Sequence, residues 1–228
     1  MNRNCLSIGH RGAKGHITEN TLESIQWALD FGVDGIEIDV HLCASGELVV
    51  FHDFTLDRIT NGTGEISKKT LTELKKIKVE DKYSIPTLEE VLNVVNRKCF
   101  INIELKGEET FKEICRIIDR YVAEKGWKYQ DFIVSSFQEA LLLSVYNINK
   151  KVPLGVLTDI NLEQSAVFGK TINAIAIHPD YTMLTKENIA KLKQGYKVFT
   201  WTVNNKQTIE RVKSYGVDGI ISDFPDSI

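Results

Sequence analysis

The sequence predicts a (β/α)8 barrel, the TIM-barrel fold, with a short insertion after the second strand. Eight short apolar runs alternate with longer amphipathic stretches along the 228 residues. Several runs carry Ile and Val at both odd and even positions, which is typical of strands buried on both faces. Eight such strands alternating with helices suit a closed barrel. An open doubly wound sheet is the second candidate, although no GxGxxG or GxxxxGK motif follows a strand, which weakens its nucleotide-binding form.

The predicted barrel strands are short and apolar. They are Leu6–Ile8, Gly35–Val40, Phe100–Leu105, Phe132–Ser135, Leu154–Leu157, Ala174–Ile177, Val198–Val203 and Gly219–Ser222. Helices are predicted between them at Glu19–Phe31, Thr87–Asn96, Thr110–Lys125, Gln138–Ile148, Leu162–Phe168, Thr185–Gln194 and Lys206–Tyr215. Gly32 follows the first helix as a C-cap, and Thr87 with Glu90 forms a capping box directly after Pro86.

One segment interrupts the alternation of strands and helices. Glu47–His52 is predicted to form an extra strand, and residues 53–85 follow as a polar segment with a short helix near Leu71–Ile77. This stretch is too long for an ordinary βα connection. Because the loops that follow barrel strands lie on the catalytic face, we predict a cap that faces the substrate. Residues 1–228 as a whole are expected to form a single domain.

A second sequence pattern supports repeated βα units. The pentapeptide Gly-Val-Asp-Gly-Ile occurs at residues 32–36 and again at residues 216–220, each time between a predicted helix and a strand. Repeated units fit a closed barrel, and chance together with the common chemistry of αβ loops is the alternative.

Composition excludes several classes of protein. The net charge of -3 gives no global basic surface, so we expect no nucleic-acid partner. No run approaches the roughly 18 apolar residues of a membrane-spanning helix, so no stable membrane insertion is expected. The N-terminal segment Met1–Ile8 has too short an apolar run for a signal peptide, which favours a cytoplasmic location, although a leader already removed would leave no trace. The expected partner is a small-molecule substrate, and a homodimer is compatible with the sequence.

Two carboxylates occupy one face of the second predicted strand. Glu37 and Asp39 are two residues apart, so their side chains point the same way, into the barrel, while the apolar residues between them point outward. Two buried carboxylates repel each other and are poorly solvated. A hard divalent cation would compensate them, and salt bridges to Arg or Lys are the structural alternative.

A third carboxylate on the next strand strengthens the metal hypothesis. Glu104 shares an inward face with Asn102 and Lys106, and three carboxylates with few nitrogen or sulfur ligands suit Mg²⁺ or Ca²⁺ better than Zn²⁺. We therefore predict one divalent cation on Glu37, Asp39 and Glu104. Lys106 lies nearer the catalytic end and could contact an anionic substrate oxygen, with a salt bridge to an acid as the alternative.

Two histidines are candidates for proton transfer. His10 and His52 each end a predicted strand, so both belong to the catalytic face. Phosphodiester cleavage needs a base for the nucleophile and an acid for the leaving alkoxide, and histidine titrates in the right range. Arg11 offers a planar donor fork suited to phosphate oxygens. His41 and His178 are weaker candidates.

The remaining candidates have simpler structural alternatives. Trp201, on the seventh predicted strand, could form an apolar wall for a glycerol chain or be a core residue. Asn20 could cap the first helix. Glu19 suits the positive end of the same helix, and it could also brace Arg11.

In this order, these residues resemble the glycerophosphodiester phosphodiesterase family. The motifs are His10-Arg11-Gly12, Glu19-Asn20-Thr21, Glu37-Ile38-Asp39, His52-Asp53 and Glu104-Leu105-Lys106, with further matches at Leu56–Gly64, Ile85–Glu90, Thr200–Asn204 and Asp218–Asp223. The resemblance covers almost the whole chain, and the ordered set is far more specific than any one motif.

The resemblance implies a chemistry for each residue. His10 and His52 would be general acid and base, while Arg11 and Lys106 would bind the phosphate. Glu37, Asp39 and Glu104 would hold Mg²⁺ or Ca²⁺. The products would be glycerol 3-phosphate and an alcohol such as choline or ethanolamine. A lyase that stops at a cyclic phosphate and a non-catalytic anion-binding barrel are the alternatives, and the sequence does not decide which histidine starts as base.

Overall fold

Eight parallel strands form a closed barrel in the computed structural model, which describes residues 5–228; the first four residues of the N-terminal segment, where no signal peptide is predicted, lie outside the described part. The described residues form eleven strands, namely β1 (Leu6–His10), β2 (Gly35–Leu42), β3 (Leu48–Val50), β4 (Lys78–Val79), β5 (Tyr83–Ser84), β6 (Phe100–Leu105), β7 (Phe132–Ser136), β8 (Leu154–Thr158), β9 (Ala176–Pro179), β10 (Lys197–Thr200) and β11 (Gly219–Ser222). The barrel consists of β1, β2 and β6 to β11. β1 pairs with β11 on one side and with β2 on the other, which closes the ring. The predicted (β/α)8 barrel is confirmed, and the open sheet is wrong.

The helices surround this ring. They are α1 (Leu22–Asp30), α2 (Leu71–Leu74), α3 (Leu88–Val95), α4 (Thr110–Glu124), α5 (Glu139–Ile148), α6 (Leu162–Thr171), α7 (Lys186–Leu192) and α8 (Lys206–Tyr215). Each predicted helix is present with its ends shifted by about one turn or less. The capping box at α3 is confirmed, because the Thr87 hydroxyl accepts from the Glu90 N–H and the Glu90 carboxylate accepts from the Thr87 N–H.

The start of α1 corrects one expectation. Its N-cap is Thr21, whose hydroxyl accepts from the backbone N–H of Ser24, and not Asn20. Asn20 instead takes a left-handed backbone conformation, with φ of 56°, and turns its amide toward the barrel. An asparagine is one of the few residue types that adopts this conformation at low cost.

The main core lies between the barrel and the helices. Ile36, Ile38 and Val40 on β2 are completely buried in it, as the alternation of the strand predicts. A smaller apolar cluster fills the lower barrel interior and includes Ile8, Phe199 and Ile221. The polar inward-facing residues therefore collect above this plug, at the carboxyl ends of the strands, where barrel enzymes place their sites.

The inserted segment has more structure than the sequence predicts. β3 pairs antiparallel with β2, and beyond it lie a 3-10 helix (Ile66–Lys68), α2 and an antiparallel β4–β5 pair. This pair, with two residues in each strand, is too short to show an alternating pattern. The segment packs on its own apolar cluster, which comprises Cys43, Val49, Phe51, Leu56, Ile66, Leu74, Val79, Tyr83 and Ile85. None of the helices in residues 5–228 has the length and apolar character needed to cross a membrane.

Candidate active site

Three carboxylates meet inside the barrel on two neighbouring strands. The parallel register of β2 and β6 sets Asp39 directly beside Glu104, with Glu37 one inward position lower. All three residues are buried, and one oxygen of each lies within 4.8 Å of the others. The cluster follows from the alternation of side chains along two neighbouring parallel strands, as the sequence predicts.

The cluster carries more negative charge than its neighbours offset. Arg11 Nε lies 3.4 Å from Asp39, and Lys106 Nζ lies 3.6 Å from Asp39 and 2.8 Å from Glu104. Burial raises the pKa of Asp39, but Arg11 and Lys106 outweigh it, and the net pKa is lowered. The salt-bridge alternative considered for the sequence is therefore present, with two cations against three acids.

The other two carboxylates show the remaining imbalance. Burial and the nearby Asp39 raise the pKa of Glu104 to about 7 and that of Glu37 well above its usual value. Without a further positive charge, these groups hold protons that an exposed carboxylate would release. Closely spaced oxygen donors that still lack a counter-charge are what a hard divalent cation requires.

A left-handed turn after β1 aims Arg11 at this cluster. Arg11 and Gly12 have φ values of 50° and 90°. A Cβ on Gly12 would come within 2.7 Å of the Ser24 backbone, so only glycine fits there. The turn directs the Arg11 backbone N–H to Glu37, at 3.0 Å, and its guanidinium to Glu19, at 2.7 Å. Glu19 thus braces Arg11, as expected.

His10 forms a pair with an aspartate from the far end of the chain. Its Nδ1 lies 2.5 Å from Asp223 Oδ1, and Asp223 also accepts from the Asn204 amide. Burial lowers the pKa of His10, and the hydrogen bond to Asp223 opposes this effect. The other ring nitrogen, Nε2, lies 4.0 Å from Glu37 and is left to face the site.

His52 forms the corresponding pair with its own neighbour. Its Nδ1 lies 2.7 Å from Asp53 Oδ1, and the Nε2 atom lies 3.4 Å from Lys106 Nζ. Burial is the main cause that lowers the pKa of His52. His41 lies behind this pair, with Nε2 3.1 Å from the His52 carbonyl oxygen, so it holds the backbone and does not reach the cavity.

One cavity of about 110 Å³ brings these groups together at the mouth of the barrel. Its walls are His10, Arg11, Glu37, His52, Asn102, Glu104, Lys106, Phe137, Leu157, Trp201, Thr202 and Ile221. A larger cavity of about 670 Å³ lies on the outer helical layer between α6 and α7, away from the titratable cluster.

Trp201 lines the cavity at the mouth of the barrel, but it does not belong to a strand. The strand β10 ends at Thr200 and is shorter than predicted, so Trp201 lies one residue beyond it and forms an isolated β-bridge with Asp180. Its indole N–H donates to the His178 carbonyl oxygen at 2.7 Å, and its ring meets the edge of Phe137 at 5.5 Å. The ring therefore forms a fixed apolar wall.

Sequence reasoning missed several residues of the site. Asp223 belongs to the segment Asp218–Asp223, but nothing in the sequence indicates that it pairs with His10. Phe137 carries no signal at all. The Asn20 amide donates to Asp39 at 2.9 Å. Asn102 shared a face with Glu104 in the strand pattern, and its buried amide lines the cavity without a partner among residues 5–228.

This geometry agrees with the comparison to known proteins. The model of the glycerophosphoryl diester phosphodiesterase family matches residues 10–227. The chain belongs to this family. It is 36% identical over 233 residues to the glycerophosphodiester phosphodiesterase of Caldanaerobacter subterraneus subsp. tengcongensis, covering 98% of this chain and 96% of the relative.

Solved structures of the family share the whole fold. A phosphodiesterase of Oleispira antarctica, in complex with the product sn-glycerol-3-phosphate, superposes with a TM-score of 0.87 and 30% identity, covering 97% of this chain and 94% of that one. A glycerophosphodiester phosphodiesterase of Thermotoga maritima gives 0.81 and 28%, covering 97% and 96%. Membership of the glycerophosphoryl diester phosphodiesterase family makes the chain a phosphoric diester hydrolase.

Proposed function

We propose that this phosphodiesterase hydrolyses glycerophosphodiesters such as glycerophosphocholine and glycerophosphoethanolamine to glycerol 3-phosphate and the free alcohol. The observation that carries the proposal is the presence of two His–Asp pairs beside one carboxylate cluster in a single cavity. The Oleispira antarctica relative, which holds sn-glycerol-3-phosphate, supports the glycerol phosphate part of the substrate.

Glu37, Asp39 and Glu104 are the proposed ligands of one divalent cation. Their oxygens are close together, buried and short of positive charge, and an oxygen-only donor set favours Mg²⁺ or Ca²⁺. When bound, the cation would supply positive charge to a phosphate oxygen.

Arg11 and Lys106 are the proposed phosphate-binding residues. Both reach the cavity, and each is already held by a carboxylate, Arg11 by Glu19 and Lys106 by Glu104. Donors fixed in advance stabilise developing negative charge better than mobile ones. Trp201 is proposed to flank the glycerol chain with its apolar face.

His52 is the proposed starting base and His10 the proposed acid. The Lys106 ammonium can only donate, so its contact with Nε2 favours a neutral His52 that is ready to accept a proton. That proton comes from water or from the glycerol 2-hydroxyl. His10 gives a proton to the oxygen of the departing alcohol as the P–O bond breaks. With the hydroxyl as nucleophile, a cyclic phosphate forms first and is then opened by water.

Release of glycerol 3-phosphate from glycerophosphocholine tests these roles. Chelation with EDTA should abolish the reaction, and added Mg²⁺ or Ca²⁺ should restore it. His10→Ala and His52→Ala should each lower kcat by about 10²–10⁴-fold. On a p-nitrophenyl phosphodiester, whose p-nitrophenolate leaving group needs no proton, His10→Ala should regain activity and His52→Ala should not.

His16→Ala is the matched control for these variants. His16 also pairs with an aspartate, Asp226, but on the surface, and should keep full turnover. An EDTA-resistant rate would reject the metal site. A stable cyclic product by phosphorus NMR would favour the lyase instead.

Larger-scale assignments are also proposals. The chain, residues 1–228, is proposed to work as one barrel unit with residues 53–85 as a cap. A homodimer and a cytoplasmic location stay predictions of the sequence, and sedimentation velocity would test the first.

A further inference from the structure

Arg58 lies in the inserted segment and contacts two acidic side chains from different parts of the chain. Its Nε and Nη2 donate to the two Asp53 oxygens at 2.5 and 3.1 Å. Its Nη2 and Nη1 donate to the two Glu19 oxygens at 2.6 and 3.4 Å. One planar guanidinium therefore holds two carboxylates at once, which the single ammonium of a lysine cannot reproduce.

Each of these carboxylates supports a different functional group. Asp53 is the partner of His52 Nδ1, and Glu19 is the partner of the Arg11 guanidinium. The contacts form one continuous chain from His52 through Asp53, Arg58 and Glu19 to Arg11. The proposed base and the proposed phosphate-binding arginine are thus linked through a residue that does not line the cavity.

The charges along this chain are strongly stabilised. Burial raises the pKa of Glu19, but hydrogen bonds from Arg58 and Arg11 outweigh it and lower that pKa to about 2. Burial also raises the pKa of Asp53, but the hydrogen bonds with Arg58 and His52 outweigh it and lower that pKa to about 2. Both carboxylates therefore stay ionised and keep their partners oriented throughout the pH range in which histidines titrate.

The two carboxylates depend on Arg58 to different degrees. Glu19 keeps Arg11, and Lys14 at 3.5 Å, if Arg58 is removed. Besides Arg58, the side chain of Asp53 has only His52 as a side-chain partner among residues 5–228, and His52 is adjacent to it in the chain. Loss of Arg58 would leave this carboxylate free to rotate, together with the imidazole that it orients.

We propose that Arg58 is a positioning residue that couples the inserted segment to catalysis, because it holds His52 and Arg11 in one fixed arrangement through Asp53 and Glu19. The inference rests on the proposed function. It assigns to the insertion a role in assembling the site, in addition to any role as a cover.

Kinetics of Arg58→Gln and Arg58→Lys test this proposal. Arg58→Gln should lower kcat by on the order of 10²-fold, the scale produced by a displacement of about 1 Å in a catalytic group, with a smaller change in KM. The kcat of Arg58→Lys should lie between those of the wild type and Arg58→Gln, because one ammonium group can replace only part of the hydrogen bonds of the guanidinium. Guanidinium added to Arg58→Ala should restore part of kcat, since the Arg58 side chain is 46% exposed and its truncation to alanine leaves an accessible gap.

Arg116→Gln is the matched control. Arg116 also forks onto one carboxylate, Glu113, but on the exposed side of α4, and its loss should leave kcat and KM unchanged. The Tm values of Arg58→Gln and Arg116→Gln show whether a loss of stability, instead of a change in the site, accounts for the kinetic effect of Arg58→Gln.

The possible outcomes separate this inference from the proposed function. If the wild-type enzyme releases no glycerol 3-phosphate, the proposed function fails. If the wild type is active and Arg58→Gln keeps kcat within about twofold, only the positioning role fails. The role also fails if kcat drops but guanidinium restores nothing and Arg58→Lys is no better than Arg58→Gln.

Discussion

At the scale of single residues, each histidine that lines the cavity has its Nδ1 held by a carboxylate, while Nε2 faces Glu37 in His10 and Lys106 in His52. Asp223 holds Nδ1 of His10, and Asp53 holds Nδ1 of His52. A carboxylate at Nδ1 selects the tautomer that bears a proton there, which leaves Nε2 for the proposed proton transfer. The proposed roles of His10 and His52 therefore assign a structural function to Nδ1 and a reactive function to Nε2 of each ring.

Replacing Asp223 tests this division for His10. In Asp223→Asn, the amide can also donate, so the ring can adopt the wrong tautomer. We expect kcat to fall, but by less than the ~10²–10⁴-fold of removing the acid itself. Since the hydrogen bond that His10 donates to Asp223 raises the pKa of His10, its loss should move the corresponding limb of the pH–kcat profile to lower pH.

Asp226→Asn provides the comparison, because Asp226 pairs with the surface residue His16 at 2.8 Å. It should change neither kcat nor the profile. An Asp223→Asn enzyme with a wild-type profile would show that Asp223 does not control His10.

At the scale of elements, short local signals place the ends of helices and strands. Thr87 and Glu90 start α3 through their reciprocal hydrogen bonds. The two copies of Gly-Val-Asp-Gly-Ile are equivalent in structure as well, because Asp34 accepts from the Ser7 N–H and Asp218 accepts from the Val198 N–H. In each copy the aspartate joins the start of its strand to the strand beside it.

The capping box gives an element-scale prediction. Thr87→Ala removes the side-chain acceptor at the start of α3 and should lower the free energy of unfolding by about 1 kcal/mol. Urea unfolding followed by circular dichroism measures this difference. Thr208→Ala, a change inside α8, should cost nothing, because alanine is the better helix former. Equal effects of the two changes would contradict a capping contribution at Thr87.

At the scale of the whole molecule, metal binding should be linked to folding and to pH. Glu104 has a pKa of about 7 instead of its usual 4.5, so the folded metal-free protein favours the protonated form. The contribution of this protonated carboxyl group to the free energy of unfolding is fully present below pH 4.5, the usual pKa, and is lost as the pH rises through the folded-state pKa of about 7. A cation needs the ionised form, so its binding gains as the pH rises.

Thermal unfolding with and without Mg²⁺ measures this linkage. The rise in Tm on adding Mg²⁺ should be larger at pH about 8 than at pH about 5.5. Glu104→Gln should abolish most of the rise at both values. A metal-induced shift that is equal at the two pH values would show that these carboxylates bind no proton that the metal must displace.

The sequence by itself predicted the alternating strands and helices of a barrel and the clustering of three carboxylates, and the structure decided that the sheet is closed. These follow from patterns of period 2 and 3.6 along the chain, and a parallel β2–β6 register adds only that the two strands are neighbours. Only the tertiary structure decided which residues support the site. Asp223 reaches His10 because the last strand closes against the first, and Arg58 reaches Glu19 because the insertion folds back over the first loop. Such pairings depend on distances between segments far apart in the chain, and no local pattern of residues records them.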